Sequence, residues 1–101
     1  MPDYMIRTTD HLDAGPRRLA ARAAHLAAID AAKQAGLLVY GAAVLNAAGE
    51  PVGSLICGHF DSRAHVQQWL EQEPYYTEKV WDTIEVNDVR VGPSFAKDMP
   101  E

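Results

Sequence analysis

The sequence is short of cysteine, of long apolar runs and of clustered basic residues, and each shortage excludes a class of protein. Cys57 is the only cysteine among 101 residues, which rules out an internal disulfide and a paired-cysteine metal or redox site. No run approaches the ~20 consecutive apolar residues that cross a bilayer, and the amino terminus carries no apolar signal segment. We therefore expect a cytoplasmic protein with no membrane partner.

Charge and residue spacing narrow the ligand classes further. Nine Lys and Arg residues stand against 14 Asp and Glu residues, a formal charge of -5 without any basic run, which argues against nucleic acid as a partner. The glycines follow neither the Rossmann nor the Walker spacing. The four histidines show no metal-ligand spacing such as HxxxH: His11, His25, His59 and His65. We expect neither a metal nor a cofactor.

The pattern of apolar and polar residues predicts alternating strands and helices. Alanine, the best helix former, dominates the first predicted helix, and Gly36 stands where the C′ residue belongs. Pro74 must end the second helix, because the residue before a proline avoids helical angles. The predicted elements are a strand at 3–9, a helix at 17–35, strands at 37–45 and 52–60, a helix from residue 61 or 62 to 72, a short turn within 75–81 and a strand at 83–91.

The order strand, helix, strand, strand, helix, strand predicts an α+β fold of the ferredoxin-like βαββαβ type. Right-handed crossovers place both helices on one face of a four-stranded antiparallel sheet and leave the other face bare. We predict a single domain over residues 1–101, with its core at about 3–93 and a polar tail at 94–101. The segment LLVYGAAVL, residues 37–45, is apolar on both sides, which is typical of a strand covered on both faces. Because the chain has no third layer, we expect a second copy to pack face to face, giving a homodimer.

The first helix carries an arginine and a histidine close to its predicted core stripe. That stripe consists of Leu19, Ala23, Leu26 and Ile29. Arg22 falls within the stripe, where its guanidinium either finds a partner or extends past the stripe to water. His25 flanks the stripe, as does Arg18, and a single helix histidine is more often structural or solvated than catalytic.

The segment EQEPYY, residues 71–76, places an acid where the second helix ends. Continuing the apolar stripe of this helix brings Glu73 onto its centre, facing the core. A carboxylate is disfavoured at the C-terminal end of a helix, so two outcomes remain open. Either Pro74 turns the side chain to solvent, or Glu73 meets a cationic or hydrogen-bonding partner. Since both helices share one face of the sheet, Arg22 and His25 are the available partners.

A histidine paired with a carboxylate is the arrangement that general acid–base catalysis requires. The carboxylate fixes the tautomer of the imidazole, a ring that titrates near neutral pH. Arg22 nearby suits an anionic or enolate oxygen. Tyr75 and Tyr76 either wall an aromatic pocket or simply pack in the core. The candidate catalytic residues are His25 and Glu73.

Four segments in this order resemble the YCII-related family: YMIRTTD, RLAARAAHLAAI, GLLVYGA and HFDSRAHVQQWLEQEPY. The resemblance spans residues 4–91. Its most specific parts are Arg22 three residues before His25, the glycine at Gly41, and the acid-proline-aromatic element that begins at Glu73. It implies a ferredoxin-like protomer and a dimeric α/β barrel.

The resemblance also implies a reaction class. In the family, a histidine on the first helix and an aspartate before the proline are taken as a catalytic pair, which corresponds to His25 and Glu73 here. A related dehydrochlorinase that acts on a chlorinated hydroxyquinol implies small aromatic or enol-like substrates and proton transfer without a cofactor. This chain departs from the family in carrying glutamate for aspartate, a longer side chain, and in its short hairpin, residues 46–54.

Three functions agree with these residues. The first is an enzyme of lyase or isomerase type, in which His25 acts as general base or acid, Glu73 orients it and Arg22 stabilises an oxyanion of a small phenolic, enol or keto-acid compound. The second is a dimeric module that binds a small anion without turnover, and the third is a cofactor-independent monooxygenase-like activity. We favour the first. Its predicted substrate-binding residues are Arg22, Gly41, Tyr75 and Tyr76.

Overall fold

Seven elements follow one another in the order predicted from the sequence. The computed structural model describes residues 2–95, so most of the predicted polar tail lies outside the described residues. The elements are β1 (Asp3–Asp10), α1 (Gly15–Gln34), β2 (Leu38–Leu45), β3 (Pro51–His59), α2 (Arg63–Leu70), α3 (Pro74–Thr77) and β4 (Trp81–Val89).

The strands form one antiparallel sheet in the order β2-β3-β1-β4. β1 is central, and its Ile6 lies opposite Ile56 of β3 and Val86 of β4. Alternate residues of β1, from Tyr4 to Asp10, are buried, so one face of the sheet is covered and the other is open. The predicted α+β, ferredoxin-like fold with a four-stranded antiparallel sheet is confirmed.

Helix α1 packs on the sheet through its small residues. Its buried positions are Arg18, Ala21 and Ala32, whereas Leu19 is 76% exposed and Leu26 is 41% exposed. The predicted core stripe on this helix is therefore wrong. Short alanine side chains let the helix axis approach the sheet closely, and the larger leucines turn to the side. The helix ends as predicted before Gly36, whose φ of 79° is the left-handed conformation that glycine adopts readily.

The chain around Pro74 forms two separate short helices, α2 and α3, as the predicted helix end and short turn indicate. Ser62 caps α2, accepting the backbone N–H of His65, and α2 ends at Leu70, two residues earlier than predicted. Glu73 then leaves helical geometry, with φ -74° and ψ 130°, and becomes the N-cap of α3, while Pro74 takes the first position of that helix. Within residues 2–95, no helix has the length and apolarity needed to cross a membrane.

Strand β2 is an edge strand with much of its surface open. Tyr40 is 58% exposed and Val44 is 44% exposed, so the prediction of a strand covered on both faces is not met within one chain. The pairing of Tyr40 with Cys57, and of Cys57 with Met5, places these side chains on the same face because partners across a sheet share a face. This face points away from the helices, and we call it the outer face.

Candidate active site

The histidine and the acid predicted as a pair are in contact. Nδ1 of His25 is hydrogen-bonded to Oε1 of Glu73, and Oε2 of Glu73 accepts the backbone N–H of Tyr75 at 2.6 Å. The Glu73 side chain is fully buried, and that of His25 is 13% exposed. Both carboxylate oxygens therefore have a partner, as a buried acid requires.

Local backbone geometry explains how an acid becomes buried at this point. Pro74 does pull Glu73 out of helical angles, but the side chain does not turn to solvent. As the N-cap of α3 it satisfies a backbone N–H at the start of that helix. The C-terminal end of a helix disfavours a carboxylate, but Glu73 does not lie at such an end, because α2 has already ended at Leu70.

The hydrogen bond to Glu73 determines which nitrogen of His25 can act on a ligand. An ionised carboxylate only accepts, so Nδ1 carries the proton and Nε2 of the neutral ring holds a lone pair. Among residues 2–95, Asp10 Oδ1 is the only buried side-chain nitrogen or oxygen without a partner, so Nε2 is open to its surroundings. His25 lines a cavity of about 1060 Å³, and Nε2 is therefore available as a base.

Two aromatic rings hold the imidazole in place. The ring of Tyr75 stacks on that of His25, with centroids 3.8 Å apart and planes within 6°. The Trp81 ring meets both of them edge-on, at 6.4 Å from His25 and 6.0 Å from Tyr75. Burial raises the pKa of the Tyr75 phenol; the nearby Arg18 opposes this shift and the Glu73 carboxylate adds to it. The phenol is therefore protonated near neutral pH.

A buried ion pair that the sequence reasoning did not select lies beneath these rings. Nη1 of Arg18 donates to Oδ2 of Asp10 at 2.6 Å, and Nη2 donates to the carbonyl of Gly53 and the hydroxyl of Ser54, each at 3.2 Å. The guanidinium carbon lies 4.7 Å from the centroid of the Tyr75 ring, within cation–π range. Arg18 lies at the edge of the predicted stripe, and its spacing of seven residues from His25 on the same edge is the signal that could have found it.

The cavity opens between α1 and the strands β2 and β3. Of the predicted substrate-binding residues, Arg22, Gly41 and Tyr75 line it, together with His25. A Cβ at Gly41 would lie 3.9 Å from the Leu55 carbonyl oxygen, an ordinary contact, so packing within the chain does not require glycine there.

Two predicted placements differ in the structure. Arg22 is exposed and reaches the cavity from α1, so of the two outcomes weighed for it, extension to water is the one observed. Tyr76 is 37% exposed and does not belong to the cavity lining, because the short helix α3 turns Tyr75 inward and Tyr76 outward. The prediction that Tyr76 contacts a ligand has no support from this geometry.

The charges around the cavity differ from those of the whole chain. The protein carries a formal charge of -5, yet Arg22 and Lys33 line the cavity against a single acid, Glu50. Arg18 also lines the cavity, but its charge is paired with Asp10. Within residues 2–95 no group of three or more His, Cys, Asp or Glu side chains is placed to hold a metal ion. The cavity therefore suits an anion or a compound that becomes one.

The fold and the buried pair together define a class: a ferredoxin-like domain with a histidine–carboxylate pair at the edge of a cavity. Residues 3–90 match the YCII-related domain, and the chain belongs to this family, which confirms the resemblance identified from the sequence. A comparison with curated proteins gave no significant match.

Solved structures with the same fold include enzymes. The chain is similar to 5-chloro-2-hydroxyhydroquinone dehydrochlorinase (TftG) from Burkholderia phenoliruptrix AC1100 in complex with 2,5-dihydroxybenzoquinone, with a TM-score of 0.81, 21% identity, and coverage of 91% of this chain and 97% of that one. It is also similar to an antibiotic biosynthesis monooxygenase, with a TM-score of 0.54, 12% identity, and coverage of 92% and 100%. A third is protein Atu4242 from Agrobacterium tumefaciens, with a TM-score of 0.51, 12% identity, and coverage of 92% and 95%. At these identities the likeness establishes the fold and leaves the reaction open.

Proposed function

We propose that the protein is a small acid–base enzyme that needs no cofactor and acts on a phenolic, enol or keto-acid compound. The observation that carries this proposal is the buried Glu73 carboxylate bonded to Nδ1 of His25. It holds Nε2 as a base beside a cavity that His25 lines. A side chain in this position contributes typically about 10²–10⁴-fold to a proton transfer.

His25, Glu73 and Arg22 each have a separate role in the proposed reaction. Nε2 of His25 takes a proton from a hydroxyl or carbon of the substrate, and the freed electron pair moves onto oxygen or expels a leaving group from the ring. Glu73 holds the resulting imidazolium in place. Arg22, at the cavity, offers a positive charge to the oxygen on which negative charge develops. This is a lyase or isomerase type of step, and no oxidant or reductant enters it.

The dehydrochlorinase TftG suggests a first substrate to test. With 5-chloro-2-hydroxyhydroquinone as the probe, we expect the protein to release chloride, and we expect His25→Gln to lower the rate by about 10²-fold or more. The measurement is chloride release with time. His11→Gln is the matched control, because His11 contacts Asp82 at the surface. Equal rates for His25→Gln and the unaltered protein would remove His25 from the reaction.

A second function has one observation in its favour. The exposed Arg22 and the surplus of basic residues in the cavity would serve a module that binds a small anion without turnover. Such a module has no need for a buried carboxylate aligned on a histidine, which is why we favour the enzyme. Chloride release in the experiment above separates the two. The monooxygenase-like activity rests on the shared fold alone, and no feature of the cavity favours it.

We also propose that the protein is a homodimer in which two outer faces pack together as a dimeric α/β barrel, and that it works in the cytoplasm. Tyr40 and Val44 of β2 expose much of their surface on this face, and Met5, Leu55 and Cys57 beside them are half-buried. Open apolar surface of this kind marks an interaction site. Burial on the sheet, with Asp3 as a second cause, raises the pKa of the Cys57 thiol, so a neutral thiol suits such an interface.

Light scattering tests the dimer directly. At micromolar concentration we expect twice the 11.1 kDa mass of the chain, and Val44→Lys should shift the species to that of one chain, because a charge buried between two sheets is costly. Ala24→Lys, on the exposed side of α1, is the control and should leave the mass unchanged. A single-chain mass for the unaltered protein would refute the face-to-face arrangement.

A further inference from the structure

The phenol oxygen of Tyr75 is a polar atom for which the proposed reaction has so far given no use. The Tyr75 residue is only 2% exposed, yet it lines the same cavity as His25. Among residues 2–95, Asp10 Oδ1 is the only fully enclosed side-chain nitrogen or oxygen without a hydrogen-bond partner. The phenol oxygen of Tyr75 is therefore not an enclosed atom that lacks a partner. Tyr75 contacts the Glu73 carboxylate through its backbone N–H and not through its phenol. The phenol O–H is therefore reachable and free to donate.

The ring stack places the Tyr75 phenol beside the imidazole of His25. Glu73 binds Nδ1 of His25 with one oxygen and the backbone N–H of Tyr75 with the other, so the same carboxylate holds both residues at one end of the stack. The rings are parallel within 6° and 3.8 Å apart. Nε2 and the phenol oxygen therefore belong to two stacked rings whose residues line the same cavity.

We infer that Tyr75 is a second catalytic residue, whose phenol O–H donates a hydrogen bond to the ligand oxygen that becomes negative when His25 removes a proton. This inference rests on the proposed function and assigns its oxyanion donor. A base and a donor on stacked rings at one cavity can contact the same ligand.

The step is balanced without any further reactant. The ligand O–H bond breaks, its proton binds Nε2, and the electron pair remains on the ligand oxygen, which accepts the Tyr75 O–H as a hydrogen bond. Burial keeps the phenol protonated near neutral pH, so it is a donor throughout. A preorganised donor in a partly dry cavity is more effective than a solvated charge, which distinguishes Tyr75 from the exposed Arg22.

The test uses 4-nitrophenol, whose neutral and ionised forms differ in colour. At a pH below that at which the free phenol ionises, we expect the unaltered protein to bind it as the phenolate. Tyr75→Phe should weaken phenolate binding by about 10- to 100-fold, since a hydrogen bond to a charged group is lost. The ring stack survives this change, and the lost hydroxyl leaves no partner unpaired, so the unfolding midpoint should be unaltered.

Control variants make each outcome decisive. Tyr76→Phe, outside the cavity lining, should bind like the unaltered protein. The effect of Arg22→Gln should shrink as salt is raised, whereas that of Tyr75→Phe should persist, because salt screens exposed charges and not a buried hydrogen bond. If Tyr75→Phe binds the phenolate as tightly as the unaltered protein, the inference is wrong and the proposed function stands. If the unaltered protein fails to bind the phenolate, or His25→Gln binds it equally well, the proposed function fails and the inference with it.

Discussion

Replacing Glu73 by glutamine is expected to lower turnover by about 10²–10⁴-fold while leaving the fold intact. Glutamine has nearly the same shape, and its carbonyl oxygen can still accept the Tyr75 N–H that Glu73 accepts at 2.6 Å. The amide NH₂ then faces Nδ1 of His25. Since NH₂ only donates, Nδ1 must become the acceptor, and the ring proton moves to Nε2.

This change of tautomer removes the base from the cavity. With a proton on Nε2, the neutral imidazole presents a donor where the reaction needs a lone pair. The tautomer can be read without any substrate from the nitrogen chemical shifts of His25, which should report Nδ1–H in the unaltered protein and Nε2–H in Glu73→Gln. Chloride release from 5-chloro-2-hydroxyhydroquinone should fall in parallel.

A matched control lies two residues earlier in the same EQEPYY segment. Glu71 is exposed, and its carboxylate accepts a hydrogen bond from the Gln67 side chain of α2 at 2.9 Å. Glu71→Gln should therefore change neither the tautomer nor the rate. An unchanged Nδ1–H tautomer in Glu73→Gln would show that the carboxylate does not orient His25, and the assignment of the pair would be lost.

The second large effect concerns stability. We expect Asp10→Ala to lower the free energy of unfolding by about 3–5 kcal/mol, because it leaves the buried guanidinium of Arg18 without its countercharge. The side chains of Arg18 and Asp10 are only 11% and 7% exposed, so the pair is largely shielded from water. The same change frees the guanidinium that lies over the Tyr75 ring, and the His25–Tyr75 stack should loosen as a result.

Urea unfolding measures this effect, and two variants show its origin. Asp13→Ala breaks an arginine–aspartate contact at the surface, between Arg17 and Asp13, and should change the midpoint little. The double variant Asp10→Leu with Arg18→Met removes both charges and should be less destabilised than Asp10→Ala alone. If Asp10→Ala unfolds at the same urea concentration as the unaltered protein, the ion pair contributes nothing to the fold.

The elements and the pair could be predicted because their signals are local or repeated. Alanine content, the glycine at Gly36 and the proline at Pro74 act within a few residues along the chain, and they place α1 and the break before α3 correctly. The topology puts both helices on one face of the sheet and left Arg22 and His25 as the possible partners of Glu73. Acid–base chemistry and the family resemblance then singled out His25.

The rotation of α1 against the sheet could not be predicted, because the size of an apolar side chain does not indicate burial where a helix packs closely. The largest apolar residues, Leu19 and Leu26, suggested the buried stripe, but alanine at Ala21 and Ala32 allows closer approach to the sheet. That choice turns Arg18 inward to Asp10 and the leucines toward the cavity. The rotation depends on how the whole surface of α1 fits the sheet, and no short segment of the sequence contains that information.

By itself, the sequence determined the order of strands and helices and the ferredoxin-like sheet, since hydrophobic period, helix capping and chain topology act through nearby residues. It offered His25 and Glu73 only as candidates for a pair. Only the tertiary structure decided that Glu73 is buried as a helix cap, that Tyr75 faces inward and Tyr76 outward, and that Arg18 is held by Asp10. These outcomes follow from contacts between residues distant in the chain, and a buried charge is tolerated only where such contacts supply a partner for it.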